Sequence, residues 1–383
     1  MAVTTIELLE HLVGFDTTSR DSNLALIDFA EAFLDERGIE SRRVWSGDRS
    51  KANLWANIGP ATPGGVVLSG HTDCVPVDGQ PWTTDPFVLT KNDDRLYGRG
   101  TSDMKSFVAS ALAAIDGWLA SDLVRPIHLA LSYDEEVGGD GARDLVADMA
   151  GAGVRPEYCI VGEPSSMQVV TAHKGIETFV ATVSGSEIHS SLAPRAVNAV
   201  EFGARLVTAL SDLARLRISE GPFDEDFDLP HTTVHTGIIR GGTALNIVPR
   251  LCEVHFEYRF LPSENPAELR ATIDQIVADV SAMMPDIDDV GIIVRRHSGF
   301  PSLDTPDTSP AVAATQLLTP VPGTSKVAYG TEAGIFAAGL NAPTVVCGPG
   351  AIAVAHKPDE YVEVEQLSIC DQFMTALGDS LTK

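Results

Sequence analysis

The run Ser-Gly-His71-Thr-Asp73 follows an apolar stretch, Val66-Val-Leu68, and metal-ligand side chains return at Asp103, Glu135, Glu136, Glu163 and His356, each beside a strand-like apolar run or a glycine. Two histidines and several carboxylates converging from separate loops suit a pair of Zn²⁺ or similar ions. The chemistry such a pair serves is metal-dependent hydrolysis of an amide. In His71-Thr-Asp73 the imidazole can bind metal while Asp73 accepts the other ring proton, which fixes the tautomer and raises basicity. Leu96-Tyr-Gly-Arg-Gly-Thr-Ser-Asp103-Met-Lys105 delivers an aspartate from a glycine-rich turn just ahead of a helix. That run is neither G-x-x-x-x-G-K-[ST] nor a full G-x-G-x-x-G, which argues against a phosphate loop. Glu135 and Glu136 follow the apolar run Ile127–Ser132. Adjacent glutamates at a strand end cannot project alike, so one can face the metal while its neighbour faces the attacking water.

The elements that must position these residues alternate. Leu24–Arg37 reads as an amphipathic helix stopped by Gly38, Leu54–Ile58 and Val66–Leu68 as strands, and Phe107–Leu119 as a helix rich in small residues. Ile127–Ser132 reads as a buried strand, Ala142–Ala150 as a helix and Tyr158–Val161 as another strand. Such alternation predicts an α/β fold with parallel strands, and ligands at strand ends fit it, because open α/β sheets bind beyond the carboxyl ends of their strands. After His173-Lys-Gly175 the order becomes β-α-β-β-α-β: strand Thr178–Ser184, helix Ala196–Leu216, strands Thr232–Ile239 and Cys252–Arg259, helix Pro266–Met283 and strand Asp289–Arg296. This predicts a smaller α+β, ferredoxin-like insert at residues 176–298, with residues 1–175 and 299–383 forming the metal-binding domain. From about Gly299 the first pattern resumes, with a helix near Ser309–Leu318 and a strand at Thr344–Cys347.

Composition bounds the partners. The chain has 383 residues, longer than one compact core usually grows, and 44% hydrophobic with 21% charged residues, which is globular. Its formal net charge of −26 argues against nucleic acid and anionic membranes and tolerates a cationic small molecule. The five cysteines are scattered, lack any CxxC pair and fall in apolar settings, as in a reduced cytoplasmic protein. Neither a signal peptide nor a membrane span is expected from the sequence.

These segments resemble the co-catalytic zinc family that holds aminoacylases, glutamate-releasing carboxypeptidases, succinyl-diaminopimelate desuccinylases and acetylornithine deacetylases. The resemblance runs over essentially the whole chain and includes Val13-Gly-Phe-Asp-Thr-Thr-Ser19, Trp82-Thr-Thr-Asp-Pro-Phe87, His173-Lys-Gly175 and Thr331-Glu-Ala333, runs most similar to the deacetylase branch. It implies a zinc-peptidase-like catalytic domain with an inserted lid and dimerisation domain. It further implies that His71, Asp103 and Glu163 hold one ion and that Asp103, Glu136 and His356 hold the other, with Asp103 shared, Asp73 orienting His71 and Glu135 as general base. Two Zn²⁺ per subunit are expected, with Co²⁺ or Mn²⁺ as alternatives, together with a cis peptide after Asp103.

Residues outside the metal set follow from the same resemblance. His189, in Gly185-Ser-Glu-Ile-His189-Ser-Ser191, is expected to reach the partner subunit's site in a homodimer and stabilise the oxyanion, although Glu187-Ile188 replace the usual smaller residues. Asn246, in Gly241-Gly-Thr-Ala-Leu-Asn246, and Arg259 resemble carboxylate-binding elements, and an arginine fork suits a carboxylate. Lys174, Gly330 and Thr331 are expected to line the substrate site, with Glu332 as counter-charge to a substrate ammonium. The expected reaction is hydrolysis of N2-acetyl-L-ornithine to ornithine and acetate. The alternatives are desuccinylation of succinyl-diaminopimelate, a broader aminoacylase activity and, in a different class, a metal-retaining protein without catalysis.

Overall fold

The computed structural model describes residues 3–382; residues 1, 2 and 383, at the ends of the expected metal-binding domain, lie outside the described residues. The chain divides into two compact units. The first takes the residues up to Ala172, Leu303–Ser325 and those from Thr331 onward, and the second takes His173–Ser302 with Lys326–Gly330.

The chain begins α1 (Thr5–Val13), α2 (Leu24–Asp35), β1 (Ser41–Trp45), β2 (Ala52–Ile58), β3 (Val66–His71), β4 (Thr90–Asn92) and β5 (Arg95–Tyr97). It continues α3 (Lys105–Ala120), β6 (Ile127–Ser132), α4 (Asp140–Gly151), β7 (Tyr158–Pro164) and β8 (Val169–His173). The second unit holds β9 (Gly175–Ser184), α5 (Ala199–Glu220), β10 (Thr233–Gly241), β11 (Leu251–Phe260), α6 (Pro266–Ser281) and β12 (Gly291–Phe300). Then come β13 (Leu303–Asp304), α7 (Pro310–Gln316), β14 (Thr324–Val327), α8 (Ala333–Leu340), β15 (Thr344–Gly348), β16 (Tyr361–Glu363) and α9 (Val364–Ser380).

The large sheet has the order β1-β2-β6-β3-β7-β15-β8-β13, with β14 beside β8. Strand β3 runs parallel to β6 and β7, and β15 parallel to β7. The expectation of parallel strands is corrected at the flanks, where β1 with β2, β2 with β6 and β15 with β8 pair antiparallel. A parallel pair needs a long crossover, and the short Ser46–Lys51 connection between β1 and β2 cannot supply one. Every residue of β3, β6, β7 and β15 is buried, as expected of strands covered on both faces. Helices α1, α3 and α9 pack together over one core, where the Trp118 indole donates to the Met374 carbonyl at 2.9 Å. Gly162 of β7 lets this layer close, because a Cβ there would lie 1.9 Å from the Phe107 ring of α3.

In the second unit the four strands pair antiparallel in the order β10-β11-β9-β12, the topology expected of a ferredoxin-like β-α-β-β-α-β run. Burial alternates along β9 and β11, and their inward residues Phe179, Val183, Val254 and Phe256 meet Leu206 and Leu210 of α5 and Ile273 of α6. Asn198 and Asn265 cap α5 and α6 by accepting backbone N–H bonds, the latter ahead of Pro266 in the first turn. Among the described residues no helix is long and apolar enough to cross a membrane.

Candidate metal centre

The candidate ligands of the first unit stand where its parallel strands end. His71 is the last residue of β3, Glu135 and Glu136 form a single 3₁₀ turn just past β6, and Glu163 lies near the end of β7. Asp103 comes from the loop before α3, with a cis bond to Met104, and His356 from the loop after β15, with φ of +61°. Gly350, at φ +83°, brings that last loop against the Asp103 loop, since a Cβ there would sit 2.5 Å from the Ser102 hydroxyl oxygen.

Asp103 stands between the two histidines. Its Oδ1 is 3.0 Å from His71 Nε2 and its Oδ2 is 3.1 Å from His356 Nε2. Glu163 Oε1 lies 3.7 Å from His71 Nε2, and Glu136 Oε2 lies 3.0 Å from His356 Nε2. Asp103 thus faces a His71–Glu163 side and a His356–Glu136 side with one oxygen each. His71, Asp103, Glu135 and Glu163 are buried, whereas the His356 side chain is half exposed, so the cluster opens toward solvent on that side.

Asp73 supports the cluster in two ways. His71 Nδ1 bonds the Asp73 backbone carbonyl at 2.9 Å, with the carboxylate farther off at 3.6 Å. Both the carbonyl and the carboxylate of Asp73 thus face the same ring nitrogen, and either acceptor fixes the tautomer that leaves Nε2 turned toward Asp103. The carboxylate also accepts from Glu135 N at 3.1 Å, Glu136 N at 3.3 Å and the Ser19 hydroxyl at 2.7 Å, holding the two-glutamate turn.

Burial pushes the Glu135 and Glu163 carboxyls well above their ordinary range, and neighbouring carboxylates add to it. Burial and Asp103 raise Glu136 to about 7. Burial also opposes ionisation of Asp103, but hydrogen bonds from His356 and His71 outweigh it and hold that carboxyl below its ordinary range. So many carboxylates withdrawn from water are unfavourable without a counter-charge. The ligand atoms of His71, Asp103 and Glu136 lie within 4.8 Å of one another, as do those of His71, Glu135 and Glu163. Imidazole nitrogens and carboxylate oxygens so gathered fit divalent cations such as Zn²⁺, Co²⁺ or Mn²⁺.

The other expected residues have different settings. In the first unit Thr331 is buried, its hydroxyl accepting from Ala333 N at the start of α8. Glu332 is 0% exposed, and its two oxygens accept from the Ser69 and Ser132 hydroxyls at 2.6 Å each. Its expected role as counter-charge to a substrate ammonium would require one of these oxygens to leave its serine. In the second unit Lys174 is buried, donating to the His231 carbonyl at 2.6 Å, and burial lowers its ammonium to about 8. Gly330 is half-buried, and Arg259 is partly exposed with its Nε donating to Glu257 at 2.9 Å. His189 and Asn246 are exposed on neighbouring connections, joined where Ser190 N donates to the Asn246 carbonyl at 2.9 Å. His189 Nδ1 bonds the Ser191 hydroxyl at 2.8 Å, leaving Nε2 for another partner. Ile188, one of the two departures before that histidine, accepts from Val248 N at 2.8 Å, so the loop is tied to the Asn246 segment.

A cluster of histidines and carboxylates gathered at the ends of parallel strands is the construction of a metal-dependent hydrolase. The family model for peptidase families M20/M25/M40 matches residues 67–379, and the chain belongs to that family of metal-dependent amidohydrolases. It is 36% identical over 369 residues to acetylornithine deacetylase of Proteus mirabilis (strain HI4320), covering 94% of this chain and 92% of that one. To acetylornithine deacetylase of Shigella sonnei (strain Ss046) it is 37% identical over 349 residues, covering 89% and 87%. The M20 family metallo-carboxypeptidase Sso-CP2 from Sulfolobus solfataricus shares the fold at a TM-score of 0.78 and 18% identity, over 99% of each chain. The Bacillus subtilis YXEP protein, a dinuclear metal binding peptidase, superposes at a TM-score of 0.67 and 14% identity, over 98% of this chain and 97% of that one.

Proposed function

We propose that this protein is a two-metal amidohydrolase that cleaves N2-acetyl-L-ornithine to L-ornithine and acetate, a step of arginine biosynthesis. The observation that carries the metal reading is Asp103, whose two oxygens stand 3.0 and 3.1 Å from two different histidines. The substrate reading rests on similarity to acetylornithine deacetylases over nearly the whole chain.

His71, Asp103 and Glu163 would hold one Zn²⁺, and Asp103, Glu136 and His356 the second. When bound, such a pair acidifies a shared water and polarises the amide carbonyl. Glu135, buried and with its backbone fixed by Asp73, takes the proton of the attacking water and returns it to the leaving amine. Its raised affinity for protons suits a carboxyl that must hold one between these two events. Arg259 grips the substrate carboxylate, and Asn246 orients the bound amino acid. His189 donates its free Nε2 proton to the oxyanion in the partner subunit of a homodimer, with the second unit as lid and dimerisation surface. The protein works in the cytoplasm, a setting that suits its five buried free cysteines.

The test is a substrate panel on purified, metal-loaded protein. kcat/KM for N-acetylornithine is expected to exceed that for N-succinyl-diaminopimelate by at least ~10²-fold, a difference of about 2.7 kcal/mol in transition-state stabilisation. Equal or better turnover of the succinylated substrate would move the assignment to the desuccinylases. Hydrolysis of N-acetylmethionine at the same rate would indicate a broad aminoacylase.

A further inference from the structure

Behind the candidate ligands of the first unit lies a charge pair that no step above uses. Arg99 is 1% exposed and Glu360 0% exposed, and they meet at 2.5 Å. Burying two charges costs desolvation that apolar residues of equal size would avoid, so stability alone does not account for the pair. Its remaining bonds do. Glu360 Oε1 accepts from the backbone N–H of Ser102 at 2.8 Å and of Asp103 at 3.0 Å, so one carboxylate holds the peptide that carries the shared ligand. The other arm of Arg99 donates to Gln80 Oε1 at 2.6 Å, beneath the Trp82 ring. Gln80 Nε2 in turn donates to the backbone carbonyl of His356 at 3.0 Å.

The chain from His356 to Glu360 needs such a hold. His356 and Asp359 both occupy the left-handed region, at φ +61° and +55°, which non-glycine residues adopt only when their surroundings impose it. Thr83 adds a further grip, its N–H and hydroxyl donating to Asp359 Oδ1 at 2.8 and 3.0 Å.

We propose that Glu360, Arg99 and Gln80 are positioning residues: a clamp, built on the buried Arg99–Glu360 pair, that fixes Asp103 and His356 relative to each other and so sets the affinity of the metal position those two share with Glu136. The inference rests on the two-metal reading above. Neutralising Glu360 leaves Arg99 buried without its counter-ion and slackens the Asp103 peptide. Turning Gln80 into glutamate keeps an acceptor for Arg99 but removes the donor to His356.

The experiment is stepwise Zn²⁺ binding by competition calorimetry on metal-free full-length protein, comparing wild type, Glu360→Gln and Gln80→Glu, with the unfolding temperature of each metal-free form. Wild type should take two ions. In Gln80→Glu, which loosens His356 alone, one step should fall by roughly 10–100-fold while the other stays within about threefold, the usual range for loss of an outer hydrogen bond behind a ligand. In Glu360→Gln, which loosens the shared Asp103, at least one step should fall by as much. Metal-free Gln80→Glu should unfold at the wild-type temperature, which a merely structural role would not give. Two unchanged steps in Gln80→Glu would overturn the clamp while leaving the two-metal reading intact. So would two steps that weaken together in Gln80→Glu along with a fall in its metal-free unfolding temperature. Wild-type protein that takes up fewer than two ions would break the two-metal reading itself, and the clamp with it. Should Glu360→Gln fail to fold, Gln80→Glu decides alone.

Discussion

The metal centre and the His189–Asn246 region are built in contrasting ways. In the first unit His71, Glu136 and Glu163 stand at or just past the ends of strands buried along their whole length, Asp103 and His356 come from adjoining loops, and these backbones are fixed by Asp73, Glu360 and Gln80. His189 and Asn246 stand exposed on connections of the second unit, tied to each other by loop hydrogen bonds. A cluster whose strand ends and loops are held by buried hydrogen bonds can keep its geometry before any substrate arrives. Exposed loop residues acquire a chemical role only when something is brought to them. Substitutions in the two regions should therefore fail in different ways.

The largest effect should come from withdrawing metal. Dialysis against a strong chelator is expected to abolish turnover, and Zn²⁺ or Co²⁺ to restore it, because the reaction then lacks the charge that stabilises its transition state. Full activity in verified metal-free protein would end the account. Next, Glu135→Gln should lose ~10²–10⁴-fold in kcat and keep both ions, since only proton transfer is removed. Its neighbour should behave otherwise: Glu136→Gln should weaken one metal step. Elemental analysis finding the reverse pattern would exchange the two roles.

In the second unit, His189→Ala should lower kcat by ~10²–10³-fold, the usual cost of one oxyanion donor, without touching metal content. Mixed with Glu135→Gln subunits, it should regain activity in heterodimers, where one of the two sites has both wild-type residues. Persistent inactivity after proven subunit exchange would place His189 within its own subunit's chemistry or outside it altogether. The smallest effect belongs to Glu332→Gln. With both oxygens of Glu332 held by serines, the preference for N-acetylornithine over N-acetylmethionine should change by less than about threefold, roughly 0.7 kcal/mol, while thermal stability falls. A collapse of that preference would give Glu332 the expected counter-charge role.

How much of this was legible in the sequence follows the same divide. Local apolar runs mark β3, β6 and β7, and a ligand-type residue at or just past each of them is readable because strand ends carry sites in α/β sheets. The bonding of Glu332 was not readable, since its partners Ser69 and Ser132 are 263 and 200 residues away. Glu360 was missed although it stands four residues beyond His356, because nothing local distinguishes a buried clamp from a solvated acidic turn; its partner Arg99 is 261 residues away. Helix α9 also went unread. It completes the layer over α3, and such packing is a long-range property that a local pattern conveys weakly. The antiparallel flanks of the large sheet escaped for a related reason, since alternation of helix and strand signals direction only where a crossover is present.

On the proposed reading one aspartate, Asp103, is shared by two cations. A crystal structure of Zn²⁺-loaded protein, with anomalous data at the zinc edge, tests it most directly. Two peaks are expected about 3.5–4 Å apart on either side of Asp103, one within bonding distance of His71 and Glu163 and the other of Glu136 and His356. A single peak, or two peaks of which only one touches Asp103, would contradict it.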